Sequence, residues 1–82
     1  MDSYSDDTLD LAFDAIELAA EKLGIDASKL VEDGADYQIM LEDVCFEIEN
    51  NDDGSGSYKN VQRMVKEAAS VALQYLPDVP RS

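Results

Sequence analysis

Apolar residues recur at the helical period in three stretches of this chain, and glycine-containing breaks separate them. That pattern leaves little choice of fold class. The first stretch predicts a helix from about Asp7 to Leu23, with Leu9, Ala12, Phe13, Ile16, Ala19, Ala20 and Leu23 facing inward. Thr8 or Asp7 is expected to cap its start, acids fill the first turn where the helix dipole favours them, and Gly24 stands where a C′ glycine belongs. Ile25–Asp33 reads as a connector with one short turn capped by Asp26, and Gly34 breaks the chain again. The second helix is expected from Ala35 to Glu49, with Tyr37, Met40, Leu41, Val44 and Ile48 inward. Asn50–Ser57 is a loop by composition. The third helix is expected from Tyr58 to Leu76 on Val61, Met64, Val65, Ala68, Val71, Ala72 and Tyr75, and Pro77 ends it. No run alternates like a strand. The expectation is a single all-α domain over residues 1–82: a three-helix bundle with an extra turn between the first two helices and a loose tail from 77 to 82.

Charge is distributed very unevenly over this pattern. Residues 1–53 carry 17 Asp and Glu against Lys22 and Lys29, a net of −15, while residues 54–82 carry a net of +2. Crowding like charges onto one small folded unit destabilises it by self-repulsion. At 45% hydrophobic the chain is too apolar for a disordered acidic tail, so folding is expected and the field calls for a use. Direct nucleic-acid binding needs a basic patch that displaces counterions, and anionic lipid repels an acidic surface. Neither partner is expected. The opening residues lack the basic start and apolar run of a secretion signal. Cys45 is alone, which fits a reducing cytoplasm.

On a helical wheel Asp10, Asp14, Glu17 and Glu21 fall on one ridge of the first helix, spanning roughly 16 Å. Asp36, Asp43 and Glu47 form a ridge on the second helix, with Glu42 and Glu49 on its opposite flank. Like charges at i,i+4 cost a few tenths of a kcal/mol each, and stability alone would intersperse lysine. Rigid rows of carboxylates can imitate a phosphate backbone, which carries about one charge per 1.7 Å of duplex. The complementary partner is a basic nucleic-acid-binding protein or effector complex. The alternative is a solvated acidic face that only confers solubility.

Leu11 and Leu18 on the first helix, and Ile39 and Phe46 on the second, fall away from the expected core stripes. Either the connector and tail cover them, or they form an apolar strip, which could anchor a partner or, for Leu11 and Leu18, a homodimer. Lys59, Arg63, Lys66 and Ser70 share the outer face of the third helix.

The stretch Asn51–Gln62 resembles an EF-hand loop. The resemblance implies Asn51, Asp53 and Ser55 as ligands, with Gly56 at the sharp turn, but Gln62 replaces the bidentate Glu at the twelfth position. Val31–Asp36 resembles the segment before the second helix of acyl carrier proteins, yet Tyr37 occupies the place of the serine that carries the prosthetic arm. No His is present, no phosphate loop or zinc spacing occurs, and acidic neighbours suppress the Cys45 thiol. No enzyme and no cofactor are expected.

In size, charge and lack of catalytic residues the chain resembles the small acidic proteins of phages and mobile elements that imitate DNA or inhibit CRISPR effectors. The resemblance implies a stoichiometric inhibitor in the host cytoplasm that occupies a basic channel through Asp10, Asp14, Glu17, Glu21, Asp36, Glu42, Asp43 and Glu47, anchored by Ile39 or Phe46. A small helical adaptor that binds through the apolar strip is the alternative.

Overall fold

The computed structural model describes residues 4–82; the Met1-Asp2-Ser3 opening lies outside them. Three α-helices, α1 (Asp6–Lys22), α2 (Ala35–Asn51) and α3 (Tyr58–Tyr75), pack against one another as an all-α bundle. Short 3₁₀ turns at Ala27–Lys29 and Leu76–Asp78 follow α1 and α3. There is no strand among the described residues beyond one isolated antiparallel bridge between Leu30 and Arg81.

The helix ends follow local chemistry. Ser5, rather than Thr8 or Asp7, caps α1. Its backbone is extended and its hydroxyl accepts from the Thr8 N–H at 3.2 Å, which starts the helix at Asp6 and leaves Thr8 buried inside the first turn. Gly24 takes the left-handed φ of 71° after α1, a conformation nearly closed to other residues. The Asp26 carboxylate caps the connector turn by accepting from the Ser28 N–H at 3.0 Å. The Ser28 hydroxyl, which donates to the same carboxylate at 2.7 Å, and that N–H together hold the Asp26 carboxyl below its ordinary pKa. Helix α2 runs past Glu49 to Asn51, because the Asn51 side-chain amide donates back to the Glu47 carbonyl at 2.8 Å and holds the last turn closed. Ser57 caps α3 by accepting from the Asn60 N–H at 3.1 Å.

The core is divided by size. Helices α1 and α3 turn seven wholly buried alanines inward: Ala12, Ala15, Ala19 and Ala20 from the first, and Ala68, Ala69 and Ala72 from the second. Small side chains let these backbones approach closely. The bulk comes from α2, whose Met40, Val44, Cys45 and Ile48 are among the largest fully buried side chains, and from Leu76. Burying such a side chain is worth about 1.5–3 kcal/mol. Cys45, absent from the expected stripe, belongs to the core, and Leu41 beside it is only half-buried. Phe13 and Leu23, expected inside, stand on the edge of the α1 stripe and remain exposed. Val61, Val65, Val71 and Tyr75 flank the core, which on α3 centres on Met64, Ala68 and Ala72.

The tail is not loose. After Pro77 the chain turns back, buries Val79 and pairs with the connector. The Val31 N–H donates to the Pro80 carbonyl at 3.0 Å, and the Ser82 N–H to the Lys29 carbonyl at 2.7 Å. The apolar Val79 side chain anchors this return, and the backbone groups it brings along find partners in the extended backbone around Leu30, as buried main chain must.

Candidate functional site

Inward-facing alanines on α1 leave its outer side to acids. Asp10, Asp14, Glu17 and Glu21 are all exposed along it. The C-terminal half of this ridge does not end in open solvent. Glu17 and Glu21 share a depression with Ile25 and Asp26 of the connector, and Glu17 also borders a second cleft that includes Glu32. The ridge therefore continues into the connector, which a helical wheel cannot foresee because Asp26 and Glu32 lie outside any helix.

Helix α2 presents a different arrangement. Ile39 and Phe46 are 51% and 59% exposed, so neither the connector nor the tail covers them. Helical geometry places this pair between the row Asp36, Asp43, Glu47 and the row Glu42, Glu49. Asp36, Glu42, Asp43 and Glu49 are exposed and Glu47 is half-buried. Two members of the first row have further roles. Asp43 accepts a hydrogen bond from the Tyr75 hydroxyl of α3, and that bond raises the Tyr75 pKa. The Glu47 carboxylate lies 3.4 Å from the Asn51 amide. This ridge is thus partly tied into the bundle, whereas among the described residues no side-chain hydrogen bond ties down Asp10, Asp14, Glu17 or Glu21.

Leu11 and Leu18 are half-buried against the core, and Leu18 shares an apolar groove with Val61 and Val65 of α3. The packing of α1 on α3 explains their off-stripe positions. On α3, Lys59, Arg63, Lys66 and Ser70 are all exposed, and Lys66 borders the groove that holds Leu18. Among the residues of the three α-helices, carboxylates therefore lie on α1 and α2 and cations on α3, with Lys22 at the end of α1 and Glu67 on α3 as the exceptions.

The α2–α3 loop is held together by its own side chains. Asn51, the first position of the EF-hand register, is the last residue of α2, and its amide points back to Glu47. Asp53 accepts from the Ser55 N–H at 2.8 Å, and the Ser55 side chain first and this N–H second lower its pKa; the Ser55 hydroxyl also donates to Ser57 at 3.0 Å. Buried Asn60 closes the loop from α3. Among the described residues no group of three or more His, Cys, Asp or Glu is placed to hold a metal ion. The Cys45 thiol is buried, and burial, with Glu49 and Glu42 nearby, pushes its pKa up to about 11. No helix among the described residues is long and apolar enough to cross a membrane.

Periodicity puts Tyr75 on the α3 stripe but reveals neither its bond to Asp43 nor the structural role of Asn60. A polar residue inside an apolar stripe, as Asn60 is, was the available signal. Comparison with known protein families, with curated proteins and with solved structures finds no match to this chain.

Proposed function

We propose that this chain is a non-catalytic inhibitor that imitates nucleic acid and occupies a basic nucleic-acid-binding channel of another protein. The observation that carries this reading is the outward placement of the α1 carboxylates, continued by Asp26 and Glu32, with Lys59, Arg63 and Lys66 gathered on another helix, α3. Such a surface attracts a lysine- and arginine-lined groove over about a Debye length, near 10 Å in 0.1 M salt. Effector complexes of nucleic-acid-guided host defence are the partner class that the resemblance to small acidic phage proteins suggests. The test is competition. Purified basic effectors holding a labelled duplex are titrated with the protein, and the duplex is expected to be released. Release is expected to weaken steeply with salt and to be lost when Asp14→Asn, Glu17→Gln and Glu21→Gln are combined.

A second reading has its own support in the exposure of Ile39 and Phe46 between two acidic rows. An apolar anchor rimmed by charge suits a protein interface in which the anchor supplies affinity. As an adaptor the chain binds with little salt dependence and loses its partner on Phe46→Ala. Full release of duplex by the Phe46→Ala variant counts against the adaptor.

A further inference from the structure

The cleft between α1 and the connector differs from the rest of the acidic surface. It measures ≈ 240 Å³ and is bordered by Phe13, Ile16, Glu17, Leu30, Glu32 and Tyr37. It combines two carboxylates, two aromatic rings and two aliphatic side chains, and no cation is among its lining residues.

Tyr37 supplies the independent observation. Only 3% of the residue is exposed, yet its hydroxyl has no hydrogen-bond partner among the described residues. Among the described residues no fully buried side-chain polar atom is left without a partner. The Tyr37 hydroxyl therefore keeps its remaining contact with the outside, and the residue lines this cleft. Burial, reinforced by the charge of Glu32, pushes its pKa up to about 12, so it stays a neutral hydroxyl able to accept or donate. A nearly buried tyrosine with a free polar end, beside two carboxylates and an open phenylalanine face, is a set of groups waiting for a cationic donor.

The chemistry narrows the cation. A hydrated metal ion or an ammonium gains little from an apolar wall. A guanidinium is planar, weakly hydrated and carries several donors, so it can stack on a ring while donating to carboxylates. The stem of an arginine is apolar and packs against residues such as Ile16 and Leu30.

We propose that this cleft receives an arginine side chain of the basic partner, with the guanidinium stacked on Phe13 and donating to Glu17, Glu32 and the Tyr37 hydroxyl. This rests on the reading that the partner is a basic protein, and it names the one contact that is specific rather than purely coulombic. It assigns the α1 ridge's recognition chemistry to its C-terminal half and to two residues, Phe13 and Tyr37, that a mimic of phosphate alone would not need.

The test is a nuclear magnetic resonance titration of the full chain with blocked tetra-arginine and, in parallel, blocked tetra-lysine of equal charge. The arginine peptide is expected to shift the amides of Phe13, Ser28, Glu32 and Tyr37 saturably and to bind about threefold or more tightly than the lysine peptide. Phe13→Ala and Glu32→Gln are each expected to weaken arginine binding by about two- to fivefold. Glu49→Gln on α2 is expected to leave it unchanged. Phe13 and Glu32 are both exposed, and circular dichroism checks that the variants keep their helices. Equal affinity for the two peptides, shifts spread evenly over α1 and α2, or a Phe13→Ala variant that binds as before overturns the proposal. The competition assay is read separately. Arginine preference without release of duplex sinks the mimicry reading alone, and release without arginine preference sinks the cleft alone.

Discussion

The side-chain amide of Asn60 donates to the backbone carbonyl of Asn51 at 2.8 Å, nine residues back across the α2–α3 loop. The oxygen of the same side chain accepts from the Asp53 N–H at 3.3 Å. One buried residue thus serves the end of α2 and the loop through its side chain and, through its backbone N–H on the Ser57 hydroxyl, the start of α3. Replacing it leaves backbone groups of Asn51 and Asp53 without these partners. Asn60→Ala is expected to destabilise the fold by about 1–3 kcal/mol. Asn60→Asp is expected to cost at least as much, because a carboxylate cannot donate to the Asn51 carbonyl. Urea unfolding followed by circular dichroism measures both.

The division of the core by size predicts unequal sensitivity. Met40→Ala removes one of the largest fully buried side chains, in a core to which α1 and α3 contribute mostly alanines beside Ile16 and Met64. A loss of about 2–5 kcal/mol is expected. Phe46→Ala removes a larger side chain from an exposed position, and is expected to stay within about 0.5 kcal/mol of the parent. The same unfolding curves distinguish the two. Similar losses for both variants would mean that Phe46 is covered.

Self-repulsion among the carboxylates predicts an inverse salt effect. Raising ionic strength from about 10 mM to about 150 mM shortens the Debye length from about 30 Å to about 8 Å. The midpoint of thermal unfolding is expected to rise over this range. Glu17→Gln and Glu21→Gln are expected to raise it at low salt and to matter less at high salt. A midpoint that falls with salt would mean that attraction between the acidic and basic helices outweighs the repulsion.

Alkaline pH tests the burial of Cys45. Its folded-state pKa of about 11 lies above the ordinary thiol value of 9.0. A group whose pKa is raised by folding contributes stability that is complete below the unfolded value. That contribution is lost as pH rises from about 9 through about 11, because the unfolded chain releases the proton first. Two pH units correspond to about 2–3 kcal/mol. Stability measured across this range is expected to fall, and Cys45→Ser is expected to remove part of the slope. At neutral pH, labelling by a thiol reagent is expected to occur only at the rate of opening.

The return of the tail to the connector predicts protected amides where a loose end has none. Val31 and Ser82 donate backbone hydrogen bonds across this junction. Both are expected to exchange hydrogen more slowly than the exposed loop around Gly54. Val79→Asp puts a charge in place of a side chain that is 3% exposed. It is expected to release Val31 and Ser82 together.

Helical periodicity predicted three helices and their connector, because α1, α2 and α3 each turn one side to a common core and that repeat is written directly in residue spacing. Periodicity fails where neighbours decide. Phe13 and Ala20 both flank the α1 stripe, yet only Ala20 is covered, since the wheel shows direction but not how wide a face the other helices cover. Cys45 is buried for the same reason on α2. The order of the tail is not legible in sequence because Val79-Pro80-Arg81-Ser82 has no period, and it comes from a contact made some fifty residues away, beside Lys29 and Leu30. The acidic ridge of α1 was legible in full, but its junction with Asp26 and Glu32 depended on how the connector folds back. The Tyr75–Asp43 bond likewise joins two helices whose relative rotation no spacing rule supplies.

Carboxylates on α1, α2 and the connector, opposed by the exposed cations of α3, give the molecule a permanent electric dipole as well as a net charge. Close to any surface of fixed charge it therefore feels a torque. A positively charged partner turns α3 away before contact, so most collisions begin with a usable orientation. A coated sensor chip of either sign would do the same, and the side on which the protein is tethered decides which helices remain open to solution.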